Sequence, residues 1–199
     1  MTENWVKHPT CLYGNAVDLR PLEQEYFVEL GRAAADKRLW QHIPTDCSDP
    51  DKFMRAYQTA LLERTAGRQY PFVILHKQKG KLIGSTRYLD IVPEDRKLEI
   101  GFTWIQADYW GTGINPECKL ILLAHAFEVL GARRVQLKTD ENNIRSRRAI
   151  EKIGCHFEGT LRKDKIRETG VSRNSAYYSI IDDEWPAARE KIQSLLLEK

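Results

Sequence analysis

The segment Asp108-Tyr109-Trp110-Gly111-Thr112-Gly113-Ile114-Asn115-Pro116-Glu117 runs straight into an apolar stretch with helical spacing. Two glycines one residue apart allow a tight turn and leave backbone amides uncovered. Asn115 reads as an N-cap and Pro116 as the first helical residue, where a missing N–H costs nothing. Upstream, Leu98 to Ile105 alternates like a strand, with Leu98, Ile100, Phe102 and Trp104 on one face and Glu99, Gly101 and Thr103 on the other. Strand, glycine turn and capped helix together build an anion site, because orphan N–H groups and the helix dipole favour a phosphate. A phosphorylated ligand is the expectation.

Outward from this turn, the pattern predicts a mixed α/β (α+β) domain. Ala16 to Arg20 alternates and stops at Pro21, and Glu23 to Ala35 has helical spacing, with Tyr26, Phe27 and Leu30 on one face. Asp49 is placed to cap a second helix running to about Ala66, with Phe53, Tyr57 and Leu61 inward. Strands follow at Pro71–His76, Lys81–Asp90 and Lys97–Gln106, close enough for antiparallel pairing. Beyond the glycine turn, Leu120, Leu123, Phe127 and Leu130 keep helical spacing up to Gly131. Arg134–Thr139 reads as strand, Asn143–Ile153 as a basic helix, and Phe157–Arg162 and Ala176–Ile181 as strands around a charged loop. A last helix over Asp183–Lys199 carries Trp185, Ala188, Ile192 and Leu195 on one face. The expected sheet has about seven strands, mostly antiparallel, flanked by helices, and residues 1–199 read as one domain.

Composition narrows the function classes. A chain of 199 residues can bury a substantial core. A net charge of +3 with 30% charged residues demands neither a nucleic-acid nor a membrane partner. No stretch approaches the roughly 20 apolar residues of a spanning helix, and Met1 to Gly14 lacks the pattern of a signal peptide. Cys11, Cys47, Cys118 and Cys155 are scattered without a Cys-x-x-Cys pair, as expected of free thiols in a reducing cytoplasm. No histidine pair suggests a metal. The basic run Arg162, Lys163, Lys165, Arg167 and Arg173 lacks interleaved aromatics and is interrupted by Asp164 and Glu168, so it reads as a solvated hairpin loop.

Two downstream segments carry a resemblance. Asn143-Ile144-Arg145-Ser146-Arg147-Arg148-Ala149-Ile150-Glu151-Lys152-Ile153-Gly154 matches an Asn-x-x-Ser…Glu-Lys-x-Gly signature, and Glu158-Gly159-Thr160-Leu161-Arg162 the Glu-Gly-x-Leu-Arg that follows it. In this order the chain resembles the GNAT superfamily of acyl-CoA N-acyltransferases, in its RimJ/RimL-like branch, over nearly its whole length. The resemblance implies acetyl-CoA or another acyl-CoA as co-substrate, no metal, and a peptide N-terminus or small-molecule amine as acceptor. It also implies a possible homodimer.

Carried over residue by residue, the pyrophosphate would lie on the amides of Trp110, Gly111, Thr112, Gly113, Ile114 and Asn115. Asn143 would bond a pantetheine amide, cap its helix, or both. Ser146 would sit near the thioester sulfur as general acid, or simply on the helix surface. Glu99 would be the general base, or else a solvated strand residue. The backbone N–H near Trp104 would bind the oxyanion, and Arg148 or Lys152 would bind the 3′-phosphate or else lie on a solvated, ion-paired helix face. Tyr26, Trp40, His42 and Tyr57 would wall the acceptor site against the Lys163–Arg173 loop, or belong to the core, as such aromatics more often do. One of Tyr177 and Tyr178 belongs to the core; the other would border the acceptor site or supply an alternative acid. Three positions depart from the pattern: Asp108, Asn115, and Ile150 where relatives carry an acidic tyrosine. A lone carboxylate suits an α-amine, with a pKa of about 7.7–8.0, better than a lysine-like amine near 10.4. A non-catalytic CoA sensor on the same fold is the competing reading, followed by an RNA-associating module.

Overall fold

A computed structural model describes residues 4–198. One eight-stranded sheet organises the chain: β1 (Leu12–Tyr13), β2 (Val17–Pro21), β3 (Tyr70–His76), β4 (Lys81–Val92), β5 (Lys97–Ile105), β6 (Arg134–Asp140), β7 (His156–Ile166) and β8 (Ser172–Ile181). Their spatial order is β1-β2-β3-β4-β5-β6-β8-β7. The expected seven strands become eight because β1, only two residues long, is too short to show alternation and exists by pairing with β2. All neighbours are antiparallel except β5 and β6. That parallel pair requires a crossover, and the helix after the glycine turn supplies it.

Five helices cover the sheet: α1 (Phe27–Ala33), α2 (Pro50–Thr65), α3 (Ile114–Ala124), α4 (Ile144–Lys152) and α5 (Trp185–Leu197). Asp49 caps α2 as its sequence predicts, its carboxylate accepting from the Asp51 and Lys52 N–H groups at 3.0 and 2.9 Å. The helix expected from Glu23 begins instead with a 3₁₀ turn over Gln24–Tyr26. α3 runs on into a π turn over His125–Val129, and Gly131 follows at φ +65°. Lys199, the expected end of the last helix, lies outside the described residues.

Two apolar clusters fill the two faces of the sheet. One gathers Leu19, Phe72, Leu98, Ile100 and Ile105 with Leu122, Leu123 and Ile150 from α3 and α4 and Ile192 from α5. The other gathers Val73, Leu82 and Trp104 with Phe27 and Leu30 from α1 and Phe53 and Tyr57 from α2. Burying both faces is the dominant favourable term for such a layered domain.

The strict alternation expected along β5 fails at one residue. Ser85 pairs with Trp104 and Arg87 with Gly101, so β5 carries an extra residue there, and Phe102 sits at φ +47°. This bulge exchanges the faces. Leu98 and Ile100 point to the α3 side and are joined by Ile105, whereas Phe102 and Trp104 pack on the α1–α2 side.

Candidate active site

β5 and β6 are registered only from Lys97 to Glu99, although both strands continue beyond. Past that point they diverge, and a cavity of about 880 Å³ opens between them. It is lined by Glu99, Thr103, Trp104, Trp110, Gly111, Thr112, Asn115, Asn143 and Ser146 among others. The sequence-predicted residues therefore converge, although they come from β5, the glycine turn and α4.

Glu99 stands at the apex of this wedge and is 2% exposed. Its Oε2 accepts from Lys138 Nζ and from Gln136 Nε2, each at 2.9 Å. Burial raises its carboxyl pKa above the ordinary value, opposed by the Lys138 charge and by the hydrogen bonds from Lys138 and Gln136. A solvated strand residue is thus ruled out. Gly101 keeps room for the carboxylate: a Cβ there would stand 2.7 Å from Glu99 Oε1 and 2.8 Å from Leu89 Cδ1.

The glycine turn differs in detail from its sequence reading. The helix starts at Ile114 with Gly113 as N-cap, so Asn115 and Pro116 lie inside the first turn. Gly111 takes the left-handed conformation at φ +75°, with open space where a Cβ would be. Gly113, at φ −70°, has an ordinary helical conformation. The Trp110 N–H is committed to Ala107 O at 3.0 Å, and the Ile114 N–H donates to Thr112 Oγ1 at 3.3 Å. The Thr112 N–H donates to Tyr109 O at 3.4 Å, so the donors left to a ligand are those of the helix start, where first-turn amides lack intrahelical partners. Ile114 itself contributes its side chain to the core.

Trp110 is pinned by its indole N–H, which donates to Ile105 O at 2.8 Å. The Arg145 guanidinium lies 3.6 Å over its ring, bridging the turn to α4 across the cavity mouth. Arg148 and Lys152, the two candidates for the basic contact, are exposed and off the cavity lining. Consecutive helical residues project about 100° apart, so only one arginine of the cluster faces the turn. Arg147 points elsewhere again, donating to Tyr178 Oη at 2.9 Å.

Asn143 caps α4, its Oδ1 accepting from the Ser146 N–H at 3.1 Å. Both residues face the cavity beside Ala149, Ile150 and Ile153. Both tyrosines on β8 have their hydroxyls engaged, and neither lines the cavity. Tyr178 is buried and donates to Glu151 at 2.9 Å, and Tyr177 donates to Asp164 at 3.1 Å.

The expected acceptor wall is mostly core. Trp104 Nε1 donates to Tyr57 Oη at 2.7 Å, and Trp40 packs against Trp104 in a tilted arrangement with ring centroids 5.5 Å apart. Of Tyr26, Trp40, His42 and Tyr57, His42 lines the cavity. The basic hairpin is not a solvated loop either. β7 and β8 extend well into it, Arg167 pairs with buried Asp140 and donates to Gln41 O at 3.1 Å, and Lys52 pairs with Glu168. These contacts tie the hairpin to α2 and to the segment before it.

Sequence reasoning missed two buried cations on the cavity wall, Arg87 and Lys119. Lys119 Nζ donates to Thr103 Oγ1 at 3.0 Å, and burial lowers its pKa to about 8. A signal for it existed, since Lys119 falls three and four residues before Leu122 and Leu123 on the apolar stripe. Arg87, inside an otherwise buried strand, offered none. His125, read as structural, stacks on Tyr88 and shares a 3.2 Å hydrogen bond with its hydroxyl.

A family model described as "Acetyltransferase (GNAT) domain" matches residues 17–156. The chain belongs to the GNAT acetyltransferase family and is an acetyltransferase. It is 34% identical over 106 residues to the "Putative ribosomal N-acetyltransferase YdaF" of Bacillus subtilis (strain 168), covering 53% of this chain and 57% of that one. A GCN5-related N-acetyltransferase from Brucella melitensis superposes with a TM-score of 0.86 at 26% identity, covering 96% of this chain and 86% of the other. Mycobacterium smegmatis RimJ, solved with CoA-disulfide, superposes at 0.79 over 94% and 95% of the two chains. At 20% identity that last likeness is one of fold.

Proposed function

We propose that residues 1–199 form one acyl-CoA N-acyltransferase domain that moves an acetyl group from acetyl-CoA to a primary amine by direct attack within a ternary complex. The observation that carries this reading is a buried glutamate at the apex of the same wedge whose mouth holds the glycine turn. The diphosphate of the donor lies against the turn from Gly111 to Asn115, and Arg145 rather than Arg148 supplies the nearby positive charge. Asn143 and Ser146 flank the pantetheine arm. No group of three or more metal-ligating side chains exists among the described residues.

Glu99 accepts a proton from the amine as its nitrogen bonds to the thioester carbonyl carbon. The N–H around Trp104 faces the developing oxyanion. As the C–S bond breaks, the Ser146 hydroxyl supplies a proton to the thiolate and is itself reprotonated from solvent. With Ile150 apolar and both β8 tyrosines engaged, Ser146 is the acid this reading assigns. No helix of the described residues is long and apolar enough to cross a membrane. The buried thiols of Cys47, Cys118 and Cys155 support a reducing cytoplasm, and a homodimer remains part of the proposal.

Free-thiol release from acetyl-CoA, followed with and without a panel of amines, tests the reading. Amine-dependent release supports it, with kcat reduced by about a hundredfold or more in Glu99→Gln and acetyl-CoA affinity retained. CoA binding without amine-dependent release would instead identify a sensor.

A further inference from the structure

We propose that the acceptor amine carries a carboxylate and that Arg87 binds it; the inference rests on the acyltransferase reading above. Arg87 is 5% exposed and lines the cavity. Its register partner is Gly101, two residues from Glu99. Residues paired across antiparallel strands project to the same face, and so do residues two apart on one strand. Arg87 and Glu99 therefore share one face of the sheet, the α1–α2 side.

The guanidinium is held by aromatic faces rather than by a counter-ion. Its Cζ lies 4.1 Å from the Phe102 ring centroid and 5.0 Å from that of Tyr57. Its hydrogen bonds are long, to Gln69 Oε1 at 3.4 Å and to Ala56 O at 3.5 Å. Among the described residues its buried Nε has no acceptor, and no carboxylate stands within ion-pair distance. An arginine cannot shed its proton to relieve such burial, and its planar fork matches a carboxylate in bidentate geometry.

The remaining charges of the cavity point the same way. Arg173, reaching in from β8, is 7% exposed and also has a buried Nε without an acceptor; its other nitrogens donate to His42 O and Ser175 Oγ. Lys119 Nζ bonds the Thr103 hydroxyl, with no carboxylate beside it among the described residues. Glu99, the buried carboxylate at the apex, is already paired with Lys138. The cavity thus holds an excess of buried positive charge. The donor's phosphates do not account for Arg87. Gly101, its partner, lies four residues before Ile105, on the order of 10 Å of strand, and the glycine turn begins only beyond that. An anion at Arg87 belongs to the other substrate, with its amine beside Glu99.

The carboxylate has two sources, the α-carboxylate of an amino acid or short peptide, or an acidic side chain next to a protein N-terminus. Initial rates of thiol release with saturating acetyl-CoA distinguish them. One arm compares dipeptides having a free α-carboxylate with their amides. The other compares amidated peptides carrying Asp or Glu at the second position with their Asn or Gln counterparts. The expected result is a preference of roughly tenfold or more in kcat/KM for the acidic member of one arm, carried by KM. In Arg87→Met that ratio falls towards one, and Arg87→Lys keeps part of it, with the Kd of CoA unchanged as the folding control. Equal wild-type rates on acidic and neutral members overturn the inference and leave the acyltransferase reading standing. A preference that survives both substitutions also overturns it. Should Arg87→Met not fold, the wild-type ratio and Arg87→Lys decide. Absence of release with every amine removes the acyltransferase reading, and this inference with it.

Discussion

At the scale of single residues, the proposed role of Glu99 as base makes its housing the source of the expected pH dependence. Its buried carboxylate has to be unprotonated to accept a proton, and burial raises its pKa above the ordinary 4.5. The acid limb of kcat is therefore expected above that value, with the rate lost as pH falls through it. Lys138 opposes the rise, so Lys138→Met should move the limb to still higher pH in a pH–rate profile. Gly101 makes a second, steric prediction. The Cβ of Gly101→Ala would meet Glu99 Oε1 and Leu89 Cδ1 inside normal contact distance. Displacing the carboxylate should lower kcat by about tenfold or more, and overpacking should cost about 1–3 kcal/mol in a melting curve. The sequence names Glu99 as a site residue but is silent on its partners. Gln136 and Lys138 come from a strand that meets β5 only after folding.

At the scale of elements, the wedge depends on two strands that begin paired and then part. The glycine turn sits at the end of one, and α4 follows the other. Arg145 on Trp110 joins them, an interaction worth about 0.5–2 kcal/mol. Arg145→Ala is expected to weaken CoA binding by roughly three- to tenfold in calorimetry, whereas Arg148→Ala should change it by less than about twofold. Periodicity locates α4 correctly and cannot choose between these arginines, because the choice depends on where Trp110 lies across the wedge. The same limit applies to β5. Alternation predicts one continuous apolar face, and a single inserted residue at Phe102 hands the second half of the strand to the other core.

At the scale of the whole molecule, the hairpin side of the cavity is closed by contacts between distant parts of the chain. Asp140 ends β6 at 1% exposure, and Arg167 from the β7–β8 hairpin neutralises it while also holding Gln41 O. Removing one partner of a buried pair strands the other charge. Arg167→Ala should cost on the order of 3 kcal/mol in denaturant unfolding, and Asp140→Asn in the same chain should restore part of it. Because the pair anchors the hairpin over the cavity, the KM for the amine should rise more than that for acetyl-CoA.

The order of strands and helices and the glycine turn were legible in the sequence, and the family resemblance named Asn143, Ser146 and Glu99, which the fold brings to the same cavity. The elements and the turn rest on local rules: periodicity, capping and the conformational freedom of glycine act over a few residues. The eighth strand, the bulge at Phe102, the start of α3 at Ile114, the choice of Arg145, and the unpaired burial of Arg87 and Lys119 were decided only by the tertiary structure. Strand pairing, face selection and the desolvation of a charge depend on which distant segments pack against a residue, and a linear pattern does not encode those neighbours.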